Sequence, residues 1–132
     1  MEIMKAEDLR KMMEDKFNNE DIKKMALEHT AERIMSNIKF IAENRAKYSY
    51  LFDIENHIKY LDRNTYNNNN VSKILMYLQF IINCYDIGAK DKYLNFASKL
   101  QQIFIDAGYT VIQEENNMHK FIISWKKNNN EE

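Results

Sequence analysis

The residues able to do chemistry here are few, beginning with three histidines and one cysteine. His29 stands in "LEHTAE", where His29 and Glu32 fall on one helical face and Glu28 lies four residues from Glu32. Metal-binding helices use that spacing, but they work as paired elements, and the chain holds no second His and Glu pair of this kind. The face is therefore expected to be solvated, with no metal and no other cofactor. Cys84 sits in the apolar run "ILMYLQFIINCY" with neither a histidine nor a helix start beside it. Without such a neighbour it reads as an inert core residue.

Phosphate-cradling loops need glycines so that backbone amides can close on the anion, and only Gly88 and Gly108 are present. Asp53, Glu55 and Asp62 could serve acid and base chemistry, yet nothing marks two of them as a pair with separated acidities. No convergent catalytic set emerges, and the chain is expected not to be an enzyme.

Two binding surfaces are better supported. Between Arg33 and Lys73 the basic residues Arg33, Lys39, Arg45, Lys47, Lys59, Arg63 and Lys73 outnumber Glu43, Asp53, Glu55 and Asp62, with Tyr48, Tyr60 and Tyr66 interleaved. Cations that hold phosphates and aromatic faces that stack on bases suit single-stranded nucleic acid. Under that reading Arg45, Lys47 and Arg63 hold phosphates while Tyr48 or Tyr66 stacks. The preferred reading is an interaction protein that contacts a protein partner or a second copy. Eight methionines, seven phenylalanines, eight tyrosines and one tryptophan supply adaptable apolar surface. Met4, Met12, Met13 and Phe17 belong to an N-terminal helix with little core to cover, and they are the expected partner-binding residues.

The elements that position these residues follow from periodicity. "AEDLRKMMEDKF" puts Leu9, Met12, Met13 and Phe17 at helical spacing over residues 5–17, a helix peripheral to the rest. "NNED" then stops it and starts a longer helix, with Leu27, Ala31, Ile34, Met35, Ile38, Ile41 and Ala42 on one stripe, ending near Arg45. Tyr48, Tyr50, Phe52 and Ile54 alternate with Ser49, Leu51 and Asp53, which predicts a strand over 48–54. One helical turn carrying Ile58 and Leu61 precedes a polar loop at 64–70. A central helix starts at Val71 on Ile74, Leu75, Leu78, Ile81, Ile82 and Tyr85, and a last helix covers 91–107 with Gly108 as its cap. A strand opening at Val111, a turn at "EENNM" and a strand with Phe121, Ile123 and Trp125 on one side form a closing hairpin. The expected fold class is α+β: predominantly helical, with four main helices and a small three-stranded antiparallel sheet, in a single domain over 1–132 with a polar tail at 127–132.

The end of that pattern, in which a helix closes on Gly108-Tyr109 and a strand closes on Ile123-Ser124-Trp125, resembles the C-terminal part of many small uncharacterised proteins of phages and large DNA viruses. The resemblance covers residues 42–125 loosely. It implies a viral or phage origin and no activity; the lack of a convergent catalytic set makes an accessory or structural role the expectation.

Composition agrees with a small domain of this kind. At 132 residues and 45% hydrophobic content, one core is the natural outcome. With 19 basic and 20 acidic residues, no net field draws the molecule to nucleic acid or to an anionic membrane. No signal peptide is visible, and the longest apolar stretch, Ile74 to Ile82, is interrupted by Gln79 and far shorter than the ~20 residues a span needs. One cysteine excludes an internal disulfide and fits a reducing compartment, so a cytoplasmic location is expected. The asparagine runs at 67–70 and 128–130 are what AT-rich coding supplies, and they read as polar loop and tail.

Overall fold

The computed structural model describes residues 2–64 and 69–127. The chain order is α1 (Ala6–Phe17), α2 (Glu20–Arg45), β1 (Ser49–Asp53), α3 (Ile54–Arg63), α4 (Asn69–Asp86), α5 (Asp91–Asp106), β2 (Thr110–Gln113) and β3 (Lys120–Ser124). This is the predominantly helical α+β fold that periodicity predicts, with a fifth helix among the described residues and shifted element ends: Tyr48 and Ile54 lie outside β1, Trp125 lies outside β3, and α4 begins at Asn69 within the expected loop. The expected single turn after β1 is a ten-residue helix, α3. Asp53 ends the strand and caps that helix, accepting from the Glu55 amide at 2.9 Å. The inward stripe of α3 is Ile54, His57 and Leu61. A buried histidine in the middle of the stripe conceals it from a reading that counts apolar residues only.

Asn19 starts α2 by accepting from the amides of Asp21 and Ile22, which supplies the side-chain oxygen that a helix start lacks. At its other end α2 stops on Ala46, which adopts the left-handed conformation (φ 51°). Gly88 and Gly108, both at φ 97°, end α4 and α5 in the conformation that glycine accepts without a side-chain clash.

The sheet has strand order β1-β3-β2, and both pairings are antiparallel. Register sets Tyr50 opposite Ile123 and Phe52 opposite Phe121 on the face toward the helices. Phe52 and Phe121 are buried there with ring centroids 5.1 Å apart. The core forms where this face meets the helices, and Ile34, Ile54, Leu61, Ile74, Leu78, Ile81, Leu100 and Ile123 are fully enclosed. Helix α4 is central, packing on α2, α3 and α5. It buries Ile74, Leu75, Tyr77, Leu78, Phe80, Ile81 and Ile82, a wide apolar face.

Candidate interaction surface

Helix α1 touches the body through its last residue. Phe17 is its one buried side chain, stacked on Phe80 of α4 with ring centroids 4.6 Å apart. Leu9, Met12 and Met13 lie at helical spacing on the same element and remain 46%, 53% and 44% exposed, and Ile3 and Met4 before them are exposed as well. Among the described residues, a stripe spaced to pack is thus left about half exposed. Beside it runs a groove of about 530 Å³, with Met13 and Phe17 on one wall and Met76, Phe80, Cys84 and Ile87 on the other. Arg10, Glu14 and Lys92 stand on its rim. Cys84 is therefore a half-buried wall residue of this groove. Of the partner-binding residues read from the sequence, Met12 and Met13 are exposed on α1, Met4 is exposed before it, and Phe17 is buried and anchors the helix.

The residues chosen for nucleic-acid contact divide. Arg45, Lys47 and Tyr48 follow one another around the left-handed turn at the end of α2. Tyr48 is 61% exposed, and the Arg45 guanidinium lies 5.9 Å from the centre of the exposed Phe40 ring. The Tyr48 carbonyl accepts from the Trp125 amide at 2.9 Å, which brings the exposed Lys126 and Lys127 to the same corner. Arg63 belongs to a different region. It ends α3, whose Tyr60 ring is covered by the Arg33 guanidinium at 3.1 Å. Arg33 is twelve residues before Arg45 on α2, about 18 Å at helical rise. Tyr66 lies outside the described residues.

The fold also assembles groups that spacing alone separates. His29 and His57 meet with ring centroids 6.2 Å apart where α3 lies across α2, so His29 is half-buried and not on a solvated face. The Thr30 hydroxyl donates to the Ala26 carbonyl at 2.7 Å, and His57 Nε2 lies 3.3 Å from the same oxygen. With its proton committed, the hydroxyl can only accept, so His57 carries its hydrogen on Nε2. Burial holds His57 down to about 4, helped by the charges of His29 and Arg33, and its imidazole is neutral near pH 7. The adjoining cleft, lined by Arg33, Asn37, Tyr50, Asp53, Asn56 and His57, is only about 100 Å³. That is well below the few hundred Å³ of a small-molecule site. Near the far end of β3, His119 Nε2 stands 3.9 Å from Glu55 and 3.8 Å from Asp86, with Tyr85 and Tyr93 against its ring. No group of three or more His, Cys, Asp or Glu among the described residues could hold a metal ion.

A second uncovered surface is the outer face of the sheet. Leu51, Ile122 and Ile112 lie in register across all three strands, with Leu51 and Ile112 exposed.

Compared with family models, curated proteins and solved structures, the chain matches none. The functional argument therefore rests on these surfaces. Among the described residues no helix is long and apolar enough to cross a membrane.

Proposed function

We propose that the chain is a non-enzymatic interaction protein that docks on another protein surface through the exposed stripe of α1 and the adjoining groove. The observation that supports this is an amphipathic helix whose apolar side chains stay in water while its own domain offers a groove beside them. Burying large apolar side chains contributes about 1.5–3 kcal/mol each, and methionine adapts to irregular partners. The resemblance at Gly108-Tyr109 and Ile123-Ser124-Trp125, with the AT-rich bias of the sequence, makes a viral or phage accessory or structural role the accompanying reading. A photo-cross-linking residue at Met13 should yield protein adducts in the producing cell, and one at the exposed Asp106 should not. Absence of adducts at Met13 would remove the docking surface. Turnover of a nucleotide or nucleic acid by purified protein, abolished by a point mutant, would remove the non-enzymatic reading.

A second reading is favoured by the corner where Phe40 and Tyr48 are exposed beside Arg45, Lys47, Lys126 and Lys127. Cations and bare aromatic rings together suit single-stranded nucleic acid. Fluorescence anisotropy at low salt should then show binding that weakens steeply as salt rises, because each neutralised phosphate releases counterions. Replacing Arg45 and Lys47 with Ala should weaken binding to all sequences alike. No complex at low salt would end this reading.

A further inference from the structure

We infer that the open edge of β1 takes an extended peptide strand from a partner, with side chains that alternate between apolar and acidic. This surface shares no residue with the α1 stripe and its groove, and the inference does not depend on them.

Strand order leaves β1 at one margin of the sheet, paired with β3 alone. In an antiparallel pair the residues that exchange hydrogen bonds alternate with residues whose backbone groups point the other way. At the two ends of this pair the Trp125 amide donates to the Tyr48 carbonyl at 2.9 Å, and the Ile54 amide donates to the His119 carbonyl at 3.0 Å. In that phase Tyr50 and Phe52 aim their backbone groups at β3, while Ser49, Leu51 and Asp53 aim theirs away from it. Among the described residues nothing answers the Leu51 amide or carbonyl. A donor and an acceptor side by side on an extended residue match the backbone of another extended chain.

The side chains of such a strand meet two different surroundings. Those level with Leu51 stand on the outer face, where they lengthen the apolar row of Leu51, Ile122 and Ile112. Those level with Tyr50 and Phe52 turn inward, to the cleft that Arg33, Asn37 and Asn56 form beside β1. At about 100 Å³ this cleft suits one short side chain. Arg33 is half-buried there, with its guanidinium held over the Tyr60 ring at 3.1 Å. Among the described residues no carboxylate pairs with it. The cleft's own carboxylate, Asp53, is engaged by the Glu55 amide and by Lys120. A positioned guanidinium without a carboxylate selects an acid at the inward positions of the added strand.

The full chain, used as bait for a display library of short random peptides, should enrich sequences that alternate apolar residues with aspartate or glutamate. In complex with a synthetic copy of an enriched peptide, the Leu51 amide should exchange slowly, whereas in the unbound chain it exchanges fast. Methylating backbone nitrogens of the peptide should weaken binding about tenfold at every second residue and leave it unchanged at the residues between. Leu51→Pro should weaken binding about tenfold as well, because an edge strand tolerates proline where the N–H faces solvent. If circular dichroism shows that this variant does not fold, the methylated peptides decide alone. Arg33→Gln should weaken the acidic peptide about tenfold and leave unchanged a copy whose side-chain carboxylates are replaced by amides. No enrichment, enriched peptides without the acidic alternation, or methylation tolerated at every position overturns the inference. So does sedimentation showing a dimer that Leu51→Pro dissociates, since the edge would then belong to a second copy. Cross-linking at Met13 should be unaffected by Leu51→Pro, so either surface can fail without the other.

Discussion

At the scale of a residue, His57 shows how burial alone sets a protonation state. The ring is 5% exposed, its Nε2 is committed to Thr30, and His29, Arg33 and Phe52 surround it. Its pKa of about 4 lies below the ordinary 6.5, so the unfolded chain binds the proton more readily than the fold does. This contribution to stability is complete above about pH 6.5 and is lost as pH falls toward 4. The interval corresponds to on the order of 3 kcal/mol. Urea unfolding at about pH 7 and about pH 4.5 should show that loss, and His57→Phe should flatten the difference. An unchanged slope in the variant would assign the acid sensitivity to other groups. This residue is also the least legible in the sequence. His57 lies between apolar positions of a stripe that becomes visible only once a buried histidine is counted as part of it. His29 reads as solvated because its neighbour across the helix crossing is 28 positions away in the chain.

At the scale of an element, the periods of 3.6 and 2 carry most of the fold. The stripes of α4 and α5 are legible because each is wide and continuous, and β3 because Phe121 and Ile123 alternate with partly exposed neighbours. The buried line of α2, by contrast, runs through Ala26, Thr30, Ile34 and Ile38, to one side of the expected stripe, and leaves Ala42 exposed. The ends are less so. Ile54 continues the alternation of β1 and yet begins α3, because Asp53 turns the chain by capping it. Tyr48 likewise falls outside the strand, in the turn that follows Ala46. The candidate surface is half legible: the sequence marks the stripe on α1 as apolar, while the groove beside it needs α4 to be brought alongside. Helix α1 should therefore behave as an element of low local stability in the free chain. Hydrogen exchange at low concentration should release the amides of residues 9–14 well before those of α4. Protection equal to that of α4 would mean that Phe17 anchors the whole helix.

At the scale of the whole molecule, the two uncovered apolar faces sit on a chain with a formal charge of −1. Little net repulsion opposes association near neutral pH. The sheet is what ties the ends of the topology together, since β3 pairs with both β1 and β2 and these do not pair with each other. A chain stopped after Gln113 should keep much of its helical circular dichroism but lose the fixed near-ultraviolet signal of a packed aromatic core. Retention of native aromatic packing would show that the helices suffice. The same order has a bearing on birth at the ribosome. Residues Ser49–Asp53 emerge early and must wait, with both edges open, until Lys120–Ser124 has been synthesised. Over that interval Tyr50 and Phe52 have no strand to lie against, and a nascent chain so exposed is a natural client for a chaperone.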